Sequence, residues 1–488
     1  MNKPIRTMAI FCMALFMALL VNSTYLQYLQ ADELNSRNGN KRVRDAEFSR
    51  ERGAILVRGA SVAQSVPVDD EFEFQRRYPH PLKYAHLTGF YSYIYGRSGV
   101  ELTQNDILSG NDPRLFVKRV VDMFGNTQPK GGDVSLTINP DAQTAAYDGL
   151  RALGGADIKG SVVALDPSTG AILAMVSSPT YDPNELASHR LSAVQQAYKR
   201  LDGAGDRPML NRGIQEVFPP GSTFKLVTAA AALSSGQYTP ESMVPGGATL
   251  DLPQTTTNLP NDSGTDCGGN RVTLTQALNV SCNVAFGWLG MELGDDALRE
   301  QAEKFGFGDT YLTDLPGQAE SRFPADPDKP QTALSAIGQF DVAATPLQMA
   351  MVTAGIANGG TVMKPYLVDE VRSPDLDVLD KASPEPYRSA VSSSVARDLT
   401  QMMISVVDTG TGTTAQIPGI KVAGKTGTAQ TSADRNPYAW FVSFAPADDP
   451  QVAVAVLIED AGVARDAISG SGLAAPIAKR VMEAVIKR

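Results

Sequence analysis

The order of apolar and polar positions divides the chain into an apolar N-terminal segment and a long, mixed remainder. Met8–Val21 is apolar, and the basic residues Lys3 and Arg6 precede it. A helix that spans a bilayer needs about 20 residues, which Thr7–Leu26 supplies. A cleaved signal peptide has a similar pattern, but no small-x-small cleavage site follows the apolar segment. We therefore predict a cytoplasmic tail and a single membrane anchor in residues 1–26, with the remainder outside the cytoplasm.

Residues 27–155 have the pattern of a small first domain. Gln27–Arg52 is polar and charged, which is typical of a stalk. Asp133–Ile138 alternates between apolar and polar residues and predicts a strand, and Ala142–Leu153 has a helical pattern that ends near Gly154.

Residues 156–488 begin and end with strand patterns and have helical patterns between them. The predicted elements are strands at Ser161–Asp166, Ala171–Val176, Trp440–Ala445 and Val452–Ile458, and a closing helix at Leu473–Ile486. This arrangement is typical of an α+β domain, in which helices pack against an antiparallel sheet.

The composition narrows the class of function. Hydrophobic residues make up 43% of the chain and charged residues 20%, close to ordinary globular usage. The formal net charge of −10 argues against nucleic-acid binding, because phosphate contacts need clustered Lys and Arg. None of the three histidines has a metal-ligand spacing to a cysteine, so no metal site is predicted. Cys12, in the apolar segment, is predicted to be an inert hydrophobic residue.

A serine and a lysine three residues apart stand where a helix is predicted to begin. Pro219–Gly221 precedes Ser222, and the apolar run after Lys225 ends at Gly236. A helix start is electropositive, and residues three apart lie on one helix face. A serine hydroxyl needs a base to become a nucleophile, and a lysine whose pKa is lowered by burial can be that base. On this pair alone, a helix-capping serine beside a solvated lysine is the more common explanation.

Two further short motifs follow along the chain. Ser281-Cys282-Asn283 is an S-x-N pattern, which is common and also occurs twice upstream of Ser222. The stretch Lys425-Thr426-Gly427-Thr428 follows a strand-like run. Gly427 has no side chain, so a substrate backbone could lie against this strand. The alternative is an ordinary edge strand with an exposed lysine.

The three motifs in this order are the signature of penicillin-binding proteins and class A β-lactamases. The chain resembles the monofunctional, class B penicillin-binding proteins, and in particular the actinobacterial penicillin-binding protein A group. The supporting segments are 219–225, 344–348, 358–360, 364–365 and 424–430 in the second domain, and 52–55 and 96–101 in the first.

The resemblance implies a penicillin-binding transpeptidase domain, an N-terminal pedestal domain and no cofactor. It implies that stem peptides ending in D-Ala–D-Ala and β-lactam antibiotics acylate the serine, that an amine is the acceptor, and that other wall-synthesis proteins are partners. The implied roles are nucleophile for Ser222, general base for Lys225, proton relay for Ser281, amide binding for Asn283, electrostatic tuning for Lys425, and substrate binding for Thr426, Gly427 and Thr428. The implied oxyanion hole consists of the backbone N–H groups of Ser222 and Thr428.

The middle residue of the S-x-N motif departs from the usual family pattern. Cys282 stands there, and Cys267 lies 15 residues before it. We hypothesise that the two form a disulfide, which in an exported domain would persist and would be worth about 3 kcal/mol for such a loop. Two free thiols, one of them buried, are the alternative.

Other functions fit the residues less well. Gly419–Thr426 matches the P-loop pattern, but its interior is strand-like and no helix is predicted after it. A Ser–His–Asp hydrolase is disfavoured, because every histidine precedes Ser222 and no G-x-S-x-G surrounds it. A β-lactam sensor would need a cytoplasmic signalling domain, and a bifunctional enzyme would need a glycosyltransferase domain; the chain has space for neither. The motifs do not separate transpeptidation from carboxypeptidation, whereas the pedestal favours transpeptidation.

Overall fold

The computed structural model describes residues 3–30, 41–115, 130–155, 157–431 and 435–486. Helix α1 (Lys3–Thr24) continues into a π-helical turn at Tyr25–Leu29. Among the described residues, Lys3–Leu29 is the one helix long and apolar enough to cross a membrane. Its apolar residues are not buried against the rest of the protein. The segment predicted to be the anchor is therefore helical, and the helix starts a few residues earlier than the sequence pattern indicated.

Sixteen described α-helices and nineteen strands, numbered in chain order, make up the molecule together with short 3-10 and π turns. After α1, the helices are α2 (Lys41–Phe48), α3 (Pro81–Thr88), α4 (Gly99–Thr103), α5 (Asn105–Leu108), α6 (Pro140–Gly154), α7 (Asn184–Ala187), α8 (Leu191–Asp202), α9 (Lys225–Ser234), α10 (Leu274–Asn279), α11 (Asn283–Leu293), α12 (Asp295–Lys304), α13 (Lys329–Ser335), α14 (Pro346–Ala357), α15 (Ser393–Asp408) and α16 (Ala475–Ile486).

The strands form two larger sheets and several two-stranded ribbons. They are β1 (Ile55–Val57), β2 (Ala60–Pro67), β3 (Phe74–Arg77), β4 (Tyr91–Ser92), β5 (Gly96–Arg97), β6 (Asp133–Leu136), β7 (Lys159–Leu165), β8 (Ile172–Ser178), β9 (Met243–Pro245), β10 (Thr249–Asp251), β11 (Asn258–Pro260), β12 (Arg271–Thr273), β13 (Thr361–Met363), β14 (Val368–Arg372), β15 (Val378–Lys381), β16 (Pro386–Ser389), β17 (Ala423–Ala429), β18 (Tyr438–Ala445) and β19 (Val452–Asp460).

The larger domain is built on an antiparallel sheet with the strand order β17-β18-β19-β7-β8. Alternate residues of its strands point into two different apolar cores. Val454 and Val456 belong to the core that includes α6 and α16, whereas Ala453 and Ala455 belong to the core that includes α9 and α14. Because apolar cores cover both faces of the sheet, β19 is a continuous run of apolar residues up to Ile458. The predicted α+β architecture and its four predicted strands are confirmed.

The first sheet has the order β15-β14-β6-β1-β2-β3. Its β14–β15 hairpin comes from the second half of the chain and pairs with β6 through Val371 and Val134. Helix α6, which the sequence interpretation assigned to residues 27–155, instead packs with α16 in the core of the larger domain. The predicted domain boundary between residues 155 and 156 stays a prediction. By its packing, α6, which ends just before this boundary, is part of the larger domain.

A buried ion cluster joins the two sequence motifs of the smaller domain. Glu101 has no exposed surface and accepts hydrogen bonds from Arg52 Nε and Arg76 Nε, each at 2.6 Å. Tyr78 also donates to this carboxylate, at 3.2 Å. Burial opposes its ionisation, but the two guanidinium groups hold the pKa of Glu101 below its usual value. The cluster fixes β3 and the segment before β1 against α4.

Candidate active site

Ser222 lies in a tight turn that leads directly into a helix. Gly221–Phe224 is a single 3-10 turn, and α9 begins at Lys225, so the helix starts three residues later than the serine. Gly221 has a φ of 53°, and a Cβ there would lie 3.0 Å from Ala429 Cα. A glycine is therefore required where this turn meets β17. Ser222 is 5% exposed.

Lys225 is fully buried behind Ser222, and its amine is held by the S-x-N motif. Its Nζ donates to Asn283 Oδ1 and to the Ser281 backbone oxygen, both at 2.7 Å, and lies 3.3 Å from Ser281 Oγ. Burial lowers the pKa of Lys225 to about 7, although the negative charge of Asp262 opposes the shift. A lysine that is substantially neutral near pH 7 can accept a proton from a hydroxyl. The solvated-lysine alternative is wrong for this residue.

Ser281 lies between α10 and α11 in a left-handed backbone conformation, with a φ of 62°. Such a conformation is strained for a serine and is held by its surroundings. The side-chain oxygen accepts a hydrogen bond from Lys425 Nζ at 2.8 Å. Lys425 is also fully buried, and burial together with the charge of Lys225 lowers its pKa well below the ordinary value. The exposed-lysine alternative is therefore wrong here too.

Strand β17 is an edge strand, and it passes close to the turn that carries Ser222. A Cβ on Gly427 would lie 2.9 Å from Thr223 Cγ2 and 3.1 Å from the Pro220 oxygen. The glycine at this position is thus required by the packing of the protein itself, whatever a substrate does along the strand. Thr426 and Thr428 line the neighbouring cleft, and Thr426 Oγ1 lies 2.6 Å from Thr411 Oγ1.

The nucleophile lies where two recesses meet. A cleft of about 610 Å³, lined mostly by residues of polar type, includes Ser281, Thr411 and Thr426. A more apolar recess of about 320 Å³ includes Leu259, Ile337, Phe340 and Asn283. Three residues line both recesses, namely Ser222, Asp262 and Thr428. An extended substrate could therefore occupy both recesses and place one bond over the serine.

All eight side chains or backbone positions that the motifs singled out come together around these recesses. The sequence reasoning missed three neighbours: Asp262, Asn261 and Thr411. Asp262 Oδ1 accepts from Asn283 Nδ2 at 3.2 Å, and Asn261 Oδ1 accepts from the Val284 backbone N–H at 3.1 Å. No pattern around these residues distinguishes them from ordinary loop residues.

Cys267 and Cys282 are joined by a disulfide, with their Cα atoms 5.8 Å apart. Since Cys282 adjoins Ser281, the bond ties the loop that carries Asp262 to the S-x-N motif. Cys12 is exposed on α1 and has no cysteine partner. Within the described ranges, no three His, Cys, Asp or Glu side chains are arranged to hold a metal ion.

A buried serine–lysine pair, a second lysine on an edge strand and an S-x-N turn on this α+β fold define a penicillin-binding transpeptidase. The family described as penicillin binding protein transpeptidase domain matches residues 160–483, and the family described as penicillin binding protein A dimerisation domain matches residues 52–134. The chain therefore belongs to the penicillin-binding protein transpeptidase family, and within it to class B.

Individual relatives match over the full length. The chain is 44% identical to the peptidoglycan D,D-transpeptidase PbpA of Mycolicibacterium smegmatis, covering 100% of this chain and 99% of the relative. The identity and coverage are the same for PbpA of Mycobacterium tuberculosis strain H37Rv. A solved ceftriaxone acyl-enzyme complex of penicillin-binding protein A from M. tuberculosis superimposes with a TM-score of 0.87 at 44% identity, over 91% of this chain and 100% of that one.

Proposed function

We propose that this chain is a peptidoglycan D,D-transpeptidase that cross-links stem peptides through an acyl-enzyme on Ser222. The observation that carries the proposal is the hydrogen-bonded series Asn283–Lys225–Ser281–Lys425, in which both amines are fully buried. Relatives with the same fold are named peptidoglycan D,D-transpeptidases, and the solved relative forms acyl-enzymes with β-lactams.

Acylation begins with the neutral amine of Lys225, which takes the proton of the Ser222 hydroxyl. Ser222 Oγ then attacks the carbonyl carbon between the two D-alanines of a donor stem. The backbone N–H groups of Ser222 and Thr428 stabilise the oxyanion, a contribution of about 2.7–4 kcal/mol per donor in other acyl-transfer enzymes. Ser281 passes a proton from Lys225 to the leaving nitrogen, so D-alanine departs as an amine.

Deacylation reverses the proton path. An acceptor stem brings its side-chain amine to the acyl-enzyme, the nitrogen attacks the ester carbon, and Ser222 recovers its proton. Thr426 and Thr428 receive the donor carboxylate beside Lys425, and Asn283 Oδ1 accepts from the N–H of the donor amide with its second lone pair. A β-lactam acylates the same oxygen by opening its ring amide, and its leaving nitrogen stays attached to the enzyme.

The same proposal gives the protein its place in the cell. The α1 helix anchors the chain in the cell membrane in a single pass, and Lys3 and Arg6 before it favour a cytoplasmic N-terminus. The catalytic domain then lies outside the cytoplasm, where stem peptides are cross-linked. The domain with the 52–134 match supplies a surface for other wall-synthesis proteins.

The test is covalent labelling by a fluorescent penicillin. The wild-type protein should be labelled and Ser222→Ala should not, while Ser263→Ala, a serine lining the same cleft, should be labelled normally. Incubation with a D-Ala–D-Ala peptide and an amine acceptor should then release D-alanine and form a cross-linked product. A folded wild-type protein without label would contradict the proposal, and release of D-alanine with hydrolysed donor alone would assign a carboxypeptidase.

A further inference from the structure

We propose that Asp262 is a positioning residue for acylation, which orients the Asn283 amide and supplies the negative charge that faces the two buried lysines. The inference rests on the proposed function, since it concerns the protonation of the base that activates Ser222. Asp262 stands outside the three sequence motifs, and it lines both recesses beside the nucleophile.

The first step is the orientation of Asn283. Its amide nitrogen donates to Asp262 Oδ1 at 3.2 Å and to the Pro260 backbone oxygen at 3.1 Å. With both hydrogens engaged by acceptors, the amide oxygen must point the other way, where it accepts from Lys225 Nζ at 2.7 Å. Without these acceptors the amide could turn and bring its own N–H groups toward the lysine.

The second step is how the carboxylate is held. Its neighbour Asn261 donates from Nδ2 to the Gly247 and Thr265 oxygens, each at 2.9 Å, and accepts the Val284 N–H with Oδ1. The Cys267–Cys282 disulfide closes the same loop onto the start of α11. An exposed carboxylate is therefore carried on a well-anchored loop, at a defined place beside Asn283.

The third step is electrostatic. Lys225 Nζ contacts Ser281 and Asn283, and the centroid of the Phe286 ring lies 5.7 Å from it. The neighbouring positive charge is that of Lys425 on β17. The negative charge of Asp262 acts on both lysines. Burial lowers the pKa of each, and Asp262 opposes that shift. Removing its charge should lower the pKa of Lys225 further and leave more neutral base at low pH.

The experiment measures the second-order rate of acylation by penicillin G from pH 5 to 9, on full-length protein in detergent. Asp262→Asn removes the charge but keeps an acceptor oxygen for Asn283. Its acidic limb should move to lower pH by roughly 0.5–1 unit, the effect of one partly solvated charge, so that it retains more of its plateau rate at low pH than wild type. High salt should shrink the difference between the two profiles.

Matched variants separate charge from structure. Asp251→Asn removes an exposed charge from β10, outside both recesses, and should leave the profile unmoved. Asp262→Ala loses the acceptor as well, so it should show the same shift and a several-fold lower plateau. Penicillin G has no amino group, so recognition of a substrate ammonium by Asp262 could not produce the shift.

The outcomes are distinct. An Asp262→Asn profile that coincides with a normally acylating wild type would overturn the inference and leave the proposed function standing. If the Asp262→Asn variant lost acylation rate by the same factor at every pH, Asp262 would have only a structural role, and the inference would also be overturned. A folded wild type that penicillin does not acylate would remove the proposed function, and the inference with it.

Discussion

Lys425 donates a hydrogen bond from Nζ to Ser281 Oγ at 2.8 Å, the same oxygen that Lys225 Nζ approaches to 3.3 Å. Two fully buried amines thus share one hydroxyl. Two positive charges this close and this poorly solvated disfavour each other, so the pair holds fewer protons near neutral pH than two ordinary lysines would. The shared hydroxyl gives a proton a short path from the base to a leaving group on the other side of the site.

The rate of acylation should fall as the pH drops through about 7. The pKa of Lys225 is lowered to about 7 by burial, and only the amine that is neutral can accept the Ser222 proton. Because the neutral form lies on the alkaline side, the rate should be highest above that pH and lose about tenfold per unit well below it. Stopped-flow acylation by penicillin G across pH 5–9 measures this, and a rate that stays constant down to pH 5 would contradict it.

The motifs predicted the candidate catalytic residues that the fold brings together, because acyl transfer constrains their chemistry and their order along the chain. Lys225 must lie one turn after Ser222, and that spacing of three residues is visible in the sequence. Asp262 could not be found in this way, since its contact with Asn283 depends on a loop folding back across 21 residues. Its loop has no periodicity from which such a contact could be inferred.

The fold shows the same division between local and long-range information. Alternating patterns and apolar runs predicted β7, β8, β18 and β19, because the apolar residues of a strand indicate which of its faces are buried. The pairing of the β14–β15 hairpin with β6 was not predicted. A strand's own residues specify which face it buries but not which distant strand it joins.

Gly427→Ala should destabilise the catalytic domain by about 1–3 kcal/mol and slow acylation. The new methyl group would lie 2.9 Å from Thr223 Cγ2 and 3.1 Å from Trp440 Cβ, so β17 would have to move away from Ser222. Thermal unfolding and penicillin acylation measure the two effects. Gly205→Ala, at a position with nothing within 4 Å, is the matched control and should change neither.

The contact with Thr223 can be tested by a compensating substitution. Thr223→Ser removes Cγ2 and keeps the hydroxyl that donates to the Pro220 oxygen at 2.7 Å. Combined with Gly427→Ala, it should recover part of the lost stability, with a coupling energy of about 0.5–3 kcal/mol. Strictly additive effects would mean that the clash lies elsewhere.

Loss of the Cys267–Cys282 bond should lower stability by about 3 kcal/mol, as the chain-entropy account gives for a loop of this length. It should also slow acylation, because the bond fixes the residue next to the strained Ser281. The comparison is Cys267→Ser/Cys282→Ser against its parent, both carrying Cys12→Ser. Thiol titration of the denatured, unreduced parent should find no reactive thiol, and two would show that the bond is absent.

Glu101→Gln should destabilise the smaller domain by about 3–5 kcal/mol, because it leaves the buried Arg76 guanidinium group without its counter-ion and removes the shorter ion pair of Arg52. The folded-state pKa of Glu101 is lowered from its usual 4.5, so its stabilisation is present above that pH and is lost as the pH falls through the folded-state value. Thermal unfolding at pH 7 and at pH 4 should therefore differ less for the variant than for wild type. Glu51→Gln, which removes an exposed ion pair with Lys130, should cost less than about 1 kcal/mol at either pH. Equal losses in the two variants would mean that burial of Glu101 adds nothing to the strength of its pairing.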